Sequence, residues 1–189
     1  MKPWLKKMLF GCLGLVVVGI VTIGVVIWSL VSWLGTGYDN DGQQVVFRTF
    51  DNAIWRVVRR EVEGADPKTF RAIPRSGGKY GLDGEKAFFT MYEIEGADVD
   101  TFEVLDWRKK FSRDKTHAYY GRLRVSDAPA GFQVLTQGYS KDDRHVYYLQ
   151  HVVEGADPAT FVVTSEVTSL AKDQHGSYSG RKRIKEPQK

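Results

Sequence analysis

The chain has 189 residues, 27 Lys plus Arg against 23 Asp plus Glu, four His and a single Cys. A mean hydropathy of -0.33 with 42% apolar residues excludes a polytopic membrane protein and a disordered chain, and one Cys excludes a disulfide-stapled fold. The excess of base sits at the two ends, in Lys2, Lys6 and Lys7 and in Arg181, Lys182, Arg183, Lys185 and Lys189; the body between them is mildly acidic, so no nucleic-acid partner is expected.

Residues 1–7 read as a short cytoplasmic stub and residues 8–34 as a transmembrane helix. No charge occurs from Met8 to Tyr38, and Leu9 through Ile27 is almost wholly Leu, Val, Ile and Gly. At about 1.5 Å per residue, roughly 20 such residues cross a hydrocarbon core of about 30 Å. Lysines before the span and Asp39 and Asp41 after it keep the N-terminus inside and put the rest of the chain on the other side. Trp4 falls near one interface, and Trp28, Trp33 and Tyr38 near the other. The apolar run is longer than a signal-peptide core and no Ala-x-Ala site follows it, which predicts an uncleaved anchor. Cys12 lies inside the span, leaving the exported part without a thiol. Residues 35–46, rich in Gly and Asp, read as a flexible spacer.

From there the chain repeats itself. Glu63-Gly64-Ala65-Asp66-Pro67-Lys68-Thr69-Phe70 recurs as Glu95 to Phe102 and as Glu154 to Phe161, with a decayed copy at Asp127 to Phe132. A second element alternates with it: Asp114-Lys115-Thr116-His117-Ala118-Tyr119-Tyr120 matches Asp142-Asp143-Arg144-His145-Val146-Tyr147-Tyr148. Looser copies begin at Asp83 and Asp173, and an aromatic often stands three residues earlier (Tyr80, Phe111, Tyr139). Self-similarity with a period of roughly 30 residues marks a repeat architecture.

These residues resemble the DKNYY family of bacterial repeat proteins, over roughly residues 51–184. Asp114-Lys115 with Tyr119-Tyr120, and Asp142 with Tyr147-Tyr148, carry the signature, and Gly-Ala-Asp-x-x-Thr-Phe resembles the segment that follows it. The resemblance implies a bacterial, membrane-anchored protein and brings no catalytic residues with it.

Ala118-Tyr119-Tyr120 and Val146-Tyr147-Tyr148 are β-prone runs, with hairpin returns predicted at Leu123-Arg124-Val125 and Val152-Val153. Asp66, Asp98 and Asp157 read as caps of a single helical turn, closed by a buried Phe. The fold expected over residues 47–184 is thus an all-β repeat domain of hairpins with short capped turns, stacked or barrel-like, ahead of a basic tail at 185–189. Strand alternation puts Phe88, Tyr119, Tyr147 and Tyr178 on the face opposite Ala87, Ala118 and Val146. If repeats stack, these four rings form a column edged by His117 and His145, readable as a binding surface or as packing against the neighbouring layer.

No zinc-protease, nucleophile-elbow, phosphate-loop or EF-hand motif occurs, and no cofactor or metal set is expected. His117 and His145 occupy equivalent repeat positions, whereas catalysis needs one asymmetric constellation. The expected function is therefore a non-enzymatic, membrane-anchored extracytoplasmic protein-binding module in the bacterial inner membrane, its domain periplasmic or otherwise outside. One specific version is an immunity-type protein that neutralises an envelope-acting toxin. The alternative is an envelope-structural or glycan-contacting protein that stacks the Tyr column on sugars.

Overall fold

A computed structural model describes residues 35–184; the stub, the predicted span over 8–34 and the tail at 185–189 lie outside the described residues. Among the described residues no helix is long and apolar enough to cross a membrane. The described residues are mainly β, built as five separate antiparallel sheets in sequence order. Sheet 1 comprises β1 (Gly37–Asn40), β2 (Val45–Asp51) and β3 (Arg56–Glu61). Sheet 2 holds β4 (Arg71–Ala72), β5 (Tyr80–Leu82), β6 (Ala87–Phe89) and β7 (Tyr92–Ile94). Sheet 3 holds β8 (Glu103–Asp106), β9 (Phe111–Arg113), β10 (Ala118–Tyr120) and β11 (Leu123–Ser126). Sheet 4 holds β12 (Gln133–Val134), β13 (Tyr139–Lys141), β14 (Val146–Tyr148) and β15 (His151–Val152). Sheet 5 holds β16 (Val162–Val163), β17 (Leu170–Asp173), β18 (Gly176–Ser179) and β19 (Lys182–Ile184).

Each four-stranded sheet is a meander whose central hairpin carries the Asp signature. A two-residue turn follows its third strand, and the first turn residue is left-handed in every repeat: Thr90 (φ 57°), Gly121 (61°), Leu149 (57°) and Gly180 (59°). Left-handed residues there match the right-handed twist of the flanking strands. The N–H of each donates back to the carbonyl of Lys79, Lys110, Gly138 or Ser169, which closes the meander.

Packing runs from sheet to sheet. Four apolar clusters join sheets 1 and 2, 2 and 3, 3 and 4, and 4 and 5; none among the described residues joins the last sheet to the first. The repeats therefore form an open stack, which decides between the stacked and barrel-like alternatives. Alternation assigned the strand faces correctly, but both faces of a middle sheet are interior. On β10, Ala118 faces sheet 4 while Tyr119 faces sheet 2; on β14, Val146 faces sheet 5 while Tyr147 faces sheet 3.

The wedge between sheets is the Phe that ends each Gly-Ala-Asp turn. Phe102 lies between Tyr80 of sheet 2 and Tyr119 of sheet 3, at 6.2 Å from each ring centroid. Phe161 sits likewise between Tyr139 (5.1 Å) and Tyr178 (5.7 Å), and Phe132 between Phe111 (5.9 Å) and Tyr147 (6.2 Å). Phe70 repeats the arrangement with Tyr38 (4.9 Å) and Phe88 (5.8 Å). The strand residue beneath that ring is small: a Cβ on Gly81 would come within 2.3 Å of Phe70 Cζ.

Three expectations need correction. Residues 35–46 are not a loose spacer: they hold β1, the turn into β2 and the first β2 residues, with Val45 buried and Asp41 Oδ1 accepting from the Gln43 and Gln44 N–H groups at 2.9 Å. Tyr38 is not an interfacial ring, because it packs on Phe47 and Phe70 and donates its hydroxyl to the Lys79 carbonyl at 3.0 Å. Asp66, Asp98 and Asp157 cap their segments as expected, accepting from amides two or three residues on, but what they cap are hydrogen-bonded turns and not helix; the one 3-10 turn described is Pro129–Gly131, in the decayed copy.

Phe161 is 3% exposed at the sheet 4–sheet 5 wedge, whereas Val167 is 89% exposed. Denaturant unfolding of the full chain in detergent should show Phe161→Ala losing about 3–5 kcal/mol and Val167→Ala changing stability by less than about 0.5 kcal/mol.

Candidate functional site

The residues with chemical potential lie where the two repeated motifs meet. In each four-stranded sheet the signature Asp opens the turn between the second and third strands. One oxygen caps that turn: Asp114 Oδ1 accepts from the Thr116 N–H (2.6 Å) and His117 N–H (2.8 Å), and Asp142 Oδ1 from Arg144 (2.8 Å) and His145 (2.7 Å). Asp83 and Asp173 do the same for Glu85 and Lys86, and for His175 and Gly176. Short polar side chains favour such local turns because they satisfy amides that the ladder leaves free.

The other oxygen reaches outside the turn. Asp114 Oδ2 accepts from the Asp98 N–H and from the Tyr119 hydroxyl, both at 2.8 Å. Asp173 Oδ2 accepts from the Asp157 N–H (2.7 Å) and Tyr178 (3.1 Å), and Asp83 Oδ2 from the Asp66 N–H (3.0 Å). Phe88 replaces Tyr in the first of these repeats, so Asp83 has no phenol partner. In sheet 4 the decayed copy offers Ser126 instead: its hydroxyl donates to Asp142 Oδ2 at 2.5 Å beside Tyr147 at 2.7 Å, and the Ala128 N–H bonds to Ser126 Oγ. Ala128 stands at the Asp position of this copy, four residues before Phe132, and its neighbour Asp127 turns outward to Arg124 at 2.8 Å. A hydroxyl completes the link in the opposite direction. Thr101 Oγ1 donates to Asp98 at 2.7 Å and accepts from the Lys115 N–H at 3.0 Å; Thr69 and Thr160 repeat this with Gly84 and Gln174.

These bonds set the ionisation of the carboxylates. Burial opposes the charge on Asp114, yet the Thr116 hydroxyl, the Asp98 and Thr116 N–H groups and Tyr119 outweigh it and lower its pKa to about 2. Asp142 and Asp173 are lowered against burial in the same manner, Asp142 by Ser126 and Tyr147 and Asp173 chiefly by the Asp157 and His175 amides. Burial and the adjacent carboxylate push the Tyr119 and Tyr147 phenols upward, so they remain donors.

The predicted binding column is buried. Phe88, Tyr119, Tyr147 and Tyr178 are at most 4% exposed; each packs on the Phe of its own repeat, and three of them spend their hydroxyl on the signature Asp. The physical reason is two-sided stacking: the face opposite one core is the core of the neighbouring interface. His145 is exposed and His117 half-buried, and both remain at the stack's edge. Sequence reasoning missed the cross-link from signature Asp to Gly-Ala-Asp turn and the part taken by Ser126. The separation of the bonded residues, 16 or 17 positions in every copy, was the available signal. Among the described residues no group of His, Cys, Asp or Glu is placed to hold a metal ion.

The strands run between two edges of unlike character. At the far edge lie the Asp turns and Gly-Ala-Asp turns, with Glu63, Glu95 and Glu154 exposed at equivalent positions. Shallow polar clefts recur there, one of about 390 Å³ beside Asp66, Thr69 and Lys86 and one of about 320 Å³ beside Thr101, Arg113 and Lys115. At the near edge, where the chain joins the domain at Thr36, are the loops before β5, β9, β13 and β17. Their Arg108 and Lys79 lie over Trp107 (5.3 and 5.6 Å), Lys110 lies over Tyr120 (5.8 Å), and Arg122 of the β10–β11 turn lies over Tyr92 (4.6 Å).

Compared with known proteins, residues 32–123 and 62–182 match the model of the DKNYY family. No curated protein and no solved structure matches the chain.

The carboxylate network makes stability acid-sensitive. Asp114 is more acidic folded than unfolded, so its contribution is complete above about pH 4 and is lost as pH falls toward about 2. Chemical unfolding across that window should show a loss of stability to which Asp114 contributes about 2 kcal/mol, the share that Asp114→Asn removes while Asp142 and Asp173 keep theirs. Tyr147→Phe, which copies the ring naturally present at Phe88, should cost about 1.5 kcal/mol at neutral pH by deleting one charge-assisted bond.

Proposed function

The chain belongs to the DKNYY family, and from that premise we propose that its repeat domain is a non-enzymatic, membrane-anchored protein-binding module on the extracytoplasmic side of a bacterial inner membrane. The supporting observation is how the polar groups are spent. The buried carboxylates and phenols that could do chemistry bond to one another and to backbone amides, once per repeat. What three of the four repeats leave for a partner is an acid on the far edge, where Glu63, Glu95 and Glu154 stand exposed at equivalent positions. Serial copies of one charged turn along a rigid stack suit a broad protein surface of opposite charge.

Anchoring through residues 8–34 would hold that edge within the envelope, where a toxin-neutralising immunity protein would have to act. The immunity role is the most specific form of the proposal. The glycan-stacking alternative drew on Tyr119 and Tyr147 as exposed platforms, and their burial removes its support.

Full-length protein used as bait in envelope extract should retain one stoichiometric protein, and joint Glu63→Lys, Glu95→Lys and Glu154→Lys substitution should release it while unfolding stays unchanged. Retention on wall polymer alone, or capture indifferent to the three charge reversals, would refute this reading. In spheroplasts, protease added from outside should digest the repeat domain; protection of the domain would overturn the topology.

A further inference from the structure

The repeats do not need the tip of the β2–β3 hairpin. Ile54 is 51% and Trp55 73% exposed there, and Val57 beside them is 42% exposed. Trp55 has left-handed backbone (φ 51°), an unfavourable conformation for a bulky residue, and its ring meets only Phe50 edge-on at 6.3 Å among the rings described. An exposed Trp–Ile pair at a turn calls for an apolar neighbour.

The strand register says where that tip points. Gly37 is paired with Arg48, and β2 continues for three more residues to Asp51, about 10 Å further at the rise of a strand. The tip therefore projects from the near edge, the same end of sheet 1 at which Gly37 and Thr36 lead back to the predicted span. That approach is fixed on the domain: a Cβ on Gly78 would lie 3.0 Å from the Thr36 carbonyl oxygen, and Tyr38 bonds to Lys79. The near edge is also cationic, with Arg75, Arg108, Lys110 and Arg122 exposed. Its acids are fewer: Asp106 pairs with Lys109 Nζ at 3.3 Å, Asp51 accepts from the Ala53 N–H at 2.9 Å, and Glu166 is exposed in the loop before β17.

We propose that the near edge lies on an anionic lipid surface, with Ile54 and Trp55 inserted at the boundary between headgroups and acyl chains. The inference rests on the anchored reading above and adds a second, orienting contact to it. Trp is amphipathic and favours this boundary, and the loop cations stand over the headgroups. A weak surface contact suffices when a tether already holds the domain beside the membrane. The far edge then faces away from the lipid.

The test uses the full chain in nanodiscs of phosphatidylethanolamine and phosphatidylglycerol, in a Cys12→Ser background. A spin label is placed in turn at Ile54→Cys, at Arg144→Cys on the far edge, and at Ile20→Cys in the span. Accessibility to oxygen relative to a water-soluble nickel complex should be several-fold higher at 54 than at 144, approaching that at 20. A label at 54 as wet as that at 144, with 20 in lipid, would overturn the inference and leave the anchor standing. Labels at 20 and 54 both in water would overturn the anchor and this proposal with it. Dipolar broadening at 54 with shielding from both reagents would show a second copy covering the tip, and would also overturn it.

Discussion

Each repeat depends on one carboxylate divided between two tasks. The signature Asp caps its own hairpin turn with one oxygen and draws in the backbone of the preceding Gly-Ala-Asp turn with the other. A buried charge left alone is costly, so the arrangement stands only because amides, a hydroxyl and a phenol surround it. Because the second oxygen binds the turn that carries the Phe, the same bond that neutralises the charge also fixes the wedge between sheets. Sheet 4 shows that geometry matters more than residue type: Ala128 stands where the other copies have Asp, and the Ser126 hydroxyl carries the link from its amide to Asp142.

Stacking follows from strand length. Three-residue strands bury too little on one face to hold a sheet alone, so each middle sheet is covered on both sides. Aromatic rings suit such interfaces because they bury much area with few torsions to fix. The ends of an open stack lack one neighbour. Sheet 1 carries Arg48 and Arg59 on its outer face, both paired with Asp39 at 3.8 and 3.2 Å, and sheet 5 leaves Val162 and Leu170 partly exposed.

The meanders also separate charge without any long-range design. Acidic caps recur in every repeat at the far edge, whereas the opposite loops, capped by a carboxylate only at Asp51 and Asp106 among the bonds described, carry the Arg and Lys that lie over Trp107, Tyr120 and Tyr92. A difference of character between two edges is thus a by-product of turn chemistry, and it gives a tethered domain two unlike surfaces to present.

Repeat boundaries, strands at Ala118–Tyr120 and Val146–Tyr148, hairpin returns and the capping Asp residues were legible because they depend on local rules of alternation, turn chemistry and spacing. Alternation also assigned the faces of Tyr119 and Tyr147 correctly, yet it could not tell solvent from a neighbouring sheet, since a period of two is blind to what lies beyond the face. Residues 35–46 read as spacer because Gly and Asp favour turns, and only packing against Phe47, Phe70 and Gly78 showed them to be β1 and its turn. The sequence by itself determined the repeat and its local bonds, which are set by neighbours in the chain. The tertiary structure alone decided the open stack, the burial of the aromatic rings and the bond from one motif to the next, because each depends on where separate turns and sheets meet in space.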